Sequence, residues 1–306
     1  MSLSDSNWYT AGVKRRANAV TDYFRDRPKL RLFLLVAGPF VLLGAFFVAP
    51  LVLMFGLSFL TDLPPAPFTL DNYVKFFSTS VYVDVLWQTA VITIQTTVVA
   101  LVLGYLLAYS LVRFTRRAST LLLLVILPFW TNYIVRMYAW INILQQDGAL
   151  DTVLLAMNVI ENPLGLLYSY DAALIGFVYI YLPLAVLTFY ASLTDLNPNL
   201  IDAAKDLGAG PIKAFLTVTL PMTMNGVTVA VILVTIPIYG AFVTPKMLGG
   251  ADLTMIGMVI EQQFTQSFNW PFGATMSTVV SAVVVAVLAA SLYVGGSVFD
   301  MAEGDA

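Results

Sequence analysis

Six runs of this chain are each long and apolar enough to cross a lipid bilayer, and that fact governs every other reading of the sequence. A membrane-spanning helix takes about 20 predominantly apolar residues. The runs cover roughly residues 32–60, 85–112, 119–144, 172–192, 226–247 and 273–296. With no water in the bilayer core, backbone N–H and C=O groups must be satisfied internally, so each run is expected to be a helix. The first run is far longer than the roughly 7–15 residues of a signal-peptide core, and is read as a span. The expected fold class is an all-α membrane protein with six transmembrane helices.

Composition narrows the chemistry. The chain of 306 residues is 59% hydrophobic and 11% charged, where a soluble domain has about 25% charged residues. It has no Cys and no His, which removes thiol nucleophiles, imidazole bases and almost every zinc site. No lysine stands between Gly and Ser or Thr, so a phosphate-binding loop of the Walker type is absent. None of the 18 acidic residues lies well inside a run; proton-coupled carriers and aspartyl proteases of the membrane need such residues. No catalytic residue, no metal ligand and no cofactor bound by this chain are expected. No basic, aromatic-studded soluble domain is present, so nucleic acid is not an expected partner.

Lys and Arg set the orientation. Lys14, Arg15, Arg16, Arg25, Arg27, Lys29 and Arg31 precede the first run, Arg113, Arg116 and Arg117 lie between the second and third, and Lys205 and Lys213 between the fourth and fifth. The other connections hold only Lys75 and Lys246, and one of them carries Asp147, Asp151, Glu161 and Asp171. Both termini are therefore expected in the cytoplasm of a multi-pass protein of the plasma or inner membrane. The first thirty residues mix Trp8, Tyr9, Val13, Val20, Tyr23 and Phe24 with the basic cluster, which suits either an interfacial amphipathic helix or a basic tail that only sets topology.

The connection between the fourth and fifth runs is the most informative stretch. Asn197 is a good helix N-cap and Pro198 suits the first turn. Leu200, Ile201, Ala204 and Leu207 form an apolar stripe at helical spacing, Gly208 can take the left-handed conformation that ends a helix, and Gly210-Pro211 restarts the chain. Ile212, Phe215 and Leu216 supply a second stripe before Pro221. A polar connector has no need of such stripes; the pattern predicts two short helices with a sharp corner, either packed on their own bundle or docked into a groove of another protein.

This stretch resembles the "EAA" loop of bacterial and archaeal ABC importer permeases, whose pattern is Glu-Ala-Ala, three residues, Gly, nine residues, Ile, one residue, Leu-Pro. Here it reads Asp202-Ala203-Ala204, Gly208, Val218 and Leu220-Pro221, in register, with Asp for Glu and Val for Ile. The resemblance implies the type I (MetI-like) permease fold. It divides the chain into a basic segment 1–31, a transmembrane permease domain 32–296 with its coupling loop at 193–225, and a cytoplasmic tail 297–306. It implies that Asp202, Ala203, Ala204, Gly208, Leu220 and Pro221 couple the spans to a dimer of ATPase subunits, which bind ATP and Mg. It also implies an external solute-binding protein. Closure of the ATPases would then drive alternating access, and this chain would catalyse nothing.

The third run contains Pro128-Phe-Trp-Thr-Asn-Tyr-Ile-Val-Arg-Met-Tyr. Pro128 is expected to kink it. Trp130, Asn132, Tyr133 and Tyr138 follow, and Tyr239 stands between Pro237 and Gly240 in the fifth run. Aromatic faces can line a path for an amine, or anchor and pack the helices. Arg136 is expected near the outer surface, where it can snorkel. Leu127 to Asn132, Leu248-Gly249-Gly250 and Trp270-Pro271-Phe272-Gly273 resemble segments of the spermidine/putrescine permeases. That subfamily implies a polyamine substrate and a second, different permease as partner. Asp147, Asp151, Glu161, Asp171, Asp252 and Glu261 on the outer side would attract such a cation, although the acidic tail (Asp300, Glu303, Asp305) also fits a general acidic bias of a saline habitat. The rival readings are import of another solute (thiamine, ferric iron or sulfate) and, from a different class, an ATP-independent carrier or channel.

Overall fold

The computed structural model of the chain describes the backbone of residues 28–304 and the side chains of residues 36–293. Residues 1–27, which carry most of the expected interfacial helix, lie outside them. The chain divides into two compact units, residues 1–57 and 58–306.

In the first unit α1 (Pro28–Leu43) runs through a π-helical turn, Gly44–Val48, into α2 (Ala49–Leu57). The wide turn has a local cause. Pro50 has no N–H and its ring crowds the carbonyl one turn back, so the Ala49 N–H reaches Gly44 O, five residues back. Val36–Leu57 is long and apolar enough to span a membrane.

Among the described residues the named elements of the second unit are helices, beside one isolated antiparallel bridge between Leu60 and Phe68. An amphipathic helix α3 (Asp71–Ser78) leads into the 35-residue α4 (Ser80–Phe114). Then come α5 (Ala118–Ile126), a 3-10 turn Leu127–Trp130, α6 (Tyr133–Leu144), α7 (Ala149–Ala156) and the span α8 (Tyr170–Thr194). The loop helices α9 (Pro198–Asp206) and α10 (Pro211–Ala214) are followed by a second π turn, Phe215–Thr219, and by α11 (Leu220–Met222) and α12 (Met224–Tyr239). The unit closes with α13 (Val243–Leu248), α14 (Ile256–Thr265) and α15 (Trp270–Gly304).

α4 and α8 form the spine. They meet where side chains are smallest: a Cβ on Gly104 would lie 2.8 Å from Ala185 Cβ. Lipid is as apolar as a core, so close packing of small residues, rather than hydrophobic transfer, holds such helices together. Phe177 and Phe189 from α8, Ile92 and Ala108 from α4, and Val234 and Ile238 from α12 complete the buried cluster.

Among the described residues four helices, or parts of them, are long and apolar enough to span: Val36–Leu57, Ser80–Phe114, Tyr170–Thr194 and Trp270–Tyr293. The third and fifth expected spans are broken rather than straight. Ala118–Trp130 and Tyr133–Ala156 meet at 95°. The expected kink at Pro128 is thus a full corner, because the 3-10 turn ends at extended Thr131 and Asn132 caps a new helix by accepting Ile134 N–H at 2.8 Å. The expected fifth span 226–247 is corrected at both ends. Its helix starts at Met224, bent 65° from Pro211–Met222, and stops at Tyr239, where Gly240 ends it and α13 sets off separately. Pro237 sits inside α12 without breaking it.

Candidate functional site

The loop between α8 and α12 folds as local chemistry dictates. Asn197 accepts Asn199 N–H at 3.1 Å and Pro198 occupies the first turn of α9. Gly208 has φ +84°, a left-handed conformation that costs an L-residue roughly 1–2 kcal/mol, and it turns the chain out of α9. Gly210 and Pro211 open α10, and the π turn before Pro221 repeats the device seen before Pro50: Leu220 N–H reaches Phe215 O. The result is an elbow at one end of the bundle.

The elbow presents apolar side chains outward. Leu207 is 90% exposed and Ile212 75%, with Leu200 and Leu216 also exposed and Ile201 turned in against the bundle. The two stripes read from the sequence therefore split. Ile212 and Leu216 face out, whereas Ala214 and Thr219 are buried and Phe215 packs inward against Tyr105 and Tyr109. Of the resemblance-implied residues, Asp202, Ala203, Gly208 and Pro221 are exposed, and Ala204 and Leu220 are half-buried. Asp202 is not a free carboxylate: Lys205 Nζ donates to its Oδ1 at 2.9 Å. That ammonium, with a smaller contribution from Arg113, holds the Asp202 carboxyl below its ordinary value. A hollow of about 250 Å³ beneath α9 is lined by Arg113, Leu196, Pro198, Ile201 and Thr219.

The other candidate residues do not form one constellation. Trp130, Asn132, Tyr133 and Tyr138 cluster at the Pro128 corner, with Trp130 and Tyr138 exposed. The Tyr133 hydroxyl bonds to the Thr244 hydroxyl on α13. Tyr239 belongs elsewhere, in a separate apolar cluster with Phe76, Ile256 and Phe272. It lines a cleft of about 460 Å³ with Thr93, Thr97 and Thr235. Arg136 does not snorkel. It is 9% exposed and lies over the rings of Phe129 and Tyr133.

At the opposite end of the bundle, the acidic residues divide by role. Asp151 is buried and accepts the N–H groups of Asp147 and Leu164, each at 3.1 Å. Glu261 pairs with Lys246 at 3.1 Å. Asp147, Glu161, Asp171 and Asp252 are exposed. The glycines of Leu248-Gly249-Gly250 have a packing role: Gly250 has φ +63° and a Cβ there would strike the Tyr168 carbonyl.

No protein-family model matches the chain. It is 36% identical over 237 residues to the spermidine/putrescine transport system permease protein PotB of Haemophilus influenzae, covering 76% of this chain and 82% of that one. It is 37% identical over 237 residues to PotB of Escherichia coli, covering 76% and 86%. Among solved structures it is similar to a chain of a bacterial ABC transporter that imports the polysaccharide alginate (TM-score 0.76, 14% identity, 92% of this chain and 99% of that one). It is also similar to one in that transporter's complex with an alginate-loaded periplasmic protein (TM-score 0.73, 13% identity, 88% and 95%). At these identities the structural likeness establishes the fold, that of ABC importer permeases.

Proposed function

The chain belongs to the PotB family of spermidine/putrescine permeases, and from that premise we propose that its 197–221 elbow is the part through which a separate ATPase drives polyamine import. The chain is a membrane transport component, a permease subunit of a polyamine ABC importer. ATP and Mg would reside on the ATPase dimer, and this chain does no bond chemistry. Asp202, Ala203, Ala204, Gly208, Leu220 and Pro221 build the docking element, with Leu207 and Ile212 as its apolar tips.

The exposure of those tips carries the reading. Two large aliphatic side chains held out on a capped, proline-braced corner are costly in water and suit a groove. The positive-inside bias of Arg113, Arg116, Arg117, Lys205 and Lys213 supports a cytoplasmic elbow and cytoplasmic termini. A second, different permease completes the pathway, and a binding protein delivers substrate at the acidic end. Trp130, Asn132, Tyr133 and Tyr138 at the Pro128 corner are the candidate contacts for a passing ammonium group, and Tyr239 is a separate candidate in its own cleft.

The test is uptake by the complete transporter in proteoliposomes. Radiolabelled spermidine or putrescine should enter only with ATP and the binding protein, and thiamine, ferric ion or sulfate should not compete. Polyamine flux through this chain alone would remove the ATPase from the mechanism.

A further inference from the structure

The inner side of the elbow holds an arrangement that the docking reading does not use. Phe215 stands edge-on to two rings of α4: its centroid is 5.7 Å from Tyr105 at 84° and 5.6 Å from Tyr109 at 87°. Tyr105 in turn meets Phe189 of α8 at 4.9 Å, and Tyr109 meets Phe114 at 6.2 Å. Five rings from the two spine helices and the elbow thus make one continuous edge-to-face network with Phe215 at its centre.

A hydrogen-bonded chain lies beside it. Tyr105 Oη is 2.9 Å from Thr223 Oγ1, across 118 residues of sequence. Thr223 has one hydroxyl proton, and its own turn offers two acceptors for it, Thr219 O at 2.9 Å and Leu220 O at 3.2 Å. Tyr105 is therefore the donor to Thr223. Both side chains are buried. These two fastenings bracket the most irregular backbone in the loop. Between Phe215 and Thr223 lie the π turn, Pro221 and the 65° break between α11 and α12.

We propose that Phe215 is the positioning residue that transmits elbow movement to α4, with the Tyr105–Thr223 hydrogen bond keeping it in register. The helix is interrupted at this point by the π turn and the 65° bend, so the backbone offers no straight rod, whereas packed rings are nearly incompressible. A displaced elbow moves the Phe215 ring, and Tyr105 and Tyr109 must follow. α4 is one uninterrupted helix of 35 residues. Its far end is tied to the start of α14 and the segment before it: Gln88 Nε2 donates to Asp252 O at 2.9 Å, and Thr89 Oγ1 accepts Ile256 N–H at 2.8 Å. α4 then acts as a lever between the two faces of the membrane.

This inference rests on the reading that the ATPase engages the elbow, and the experiment separates the two. The complete transporter, carrying Phe215→Leu, Phe215→Trp, Tyr105→Phe or Thr223→Val in this chain, is purified and reconstituted. ATP hydrolysis and polyamine uptake are measured together. If the wild-type membrane subunits fail to retain the ATPase, the docking reading is wrong and this inference falls with it. With the ATPase retained, Phe215→Leu should keep hydrolysis but lower uptake per ATP by about five-fold. Phe215→Trp should restore the ratio, and Tyr105→Phe and Thr223→Val should give partial loss. An unchanged ratio in assembled Phe215→Leu overturns the proposal. Should that variant fail to assemble, unchanged ratios in Tyr105→Phe and Thr223→Val overturn it equally.

Discussion

The Arg136 guanidinium lies 5.4 Å from the centre of the Phe129 ring, and the two residues flank the corner that Pro128 creates. Tyr133 offers a second ring at 5.9 Å. Arg136 Nε has no hydrogen-bond acceptor, and among the described residues no carboxylate pairs with the guanidinium. The two ring faces contribute about 0.5–2 kcal/mol, while burying a guanidinium without a counter-charge costs more. Phe129→Ala should therefore lower the thermal stability of the purified chain by roughly 1 kcal/mol. Arg136→Met, which keeps the stem and removes the charge, should leave it unchanged or raise it. Thermal unfolding in detergent compares the two. Loss of uptake by Arg136→Met at full stability would assign the charge to translocation.

Leu207 and Ile212 make few contacts within the chain, so replacing them should cost little stability. If each fills a groove on the ATPase, burial contributes about 1.5–3 kcal/mol apiece. Leu207→Asp or Ile212→Asp should then weaken ATPase retention at least ten-fold while the chain still inserts in the membrane. Titrating labelled ATPase onto the permease in nanodiscs reads this directly. Equal affinity in both variants would mean that the tips face solvent in the assembled transporter.

How far these features could be read in the sequence follows from their range. The capping of α9 by Asn197, the left-handed Gly208 and the restart at Pro211 depend on neighbours a few residues away, and the structure reproduces each. The direction of Phe215 was not legible. Helical spacing groups it with Ile212 and Leu216, but the bundle lies against one side of the turn only and takes Phe215 into it. The Tyr105–Thr223 bond has no local signal at all. Counting the third run as a straight depth scale puts Arg136 near the outer surface. The 95° corner removes that scale and folds the residue under two rings. Tyr239 stands out in the sequence for its place between Pro237 and Gly240, and packing assigns it to a cluster apart from the Pro128 aromatics.

The pH response of the elbow follows from Asp202. Lys205 lowers its carboxyl below the ordinary carboxylate value, so the unfolded chain takes up a proton first as pH falls. The contribution of the pair is present above the unfolded value and is lost as pH drops through the depressed folded value. Wild type and Asp202→Asn should therefore differ most at neutral pH and converge in acid, by a small amount because both partners are exposed. Thermal melts across that range check it. A difference that grows on acidification would contradict the pairing.

The acidic end tests structure against steering. Asp151 is 2% exposed and satisfies two backbone N–H groups. Removing a buried acceptor strands its donors at about 1–3 kcal/mol each. Asp151→Ala should loosen the 145–169 connection, seen as faster cleavage there by an added protease, and should do so at any ionic strength. Asp147, Glu161, Asp171 and Asp252 are exposed, and their fields reach a substrate only through solvent. Neutralising these four together should leave protease resistance intact and lower uptake at limiting polyamine. That deficit should shrink as salt is raised, because screening shortens the field to about 8 Å at physiological ionic strength. A deficit indifferent to salt would place these carboxylates in direct contact with substrate or binding protein rather than in long-range attraction.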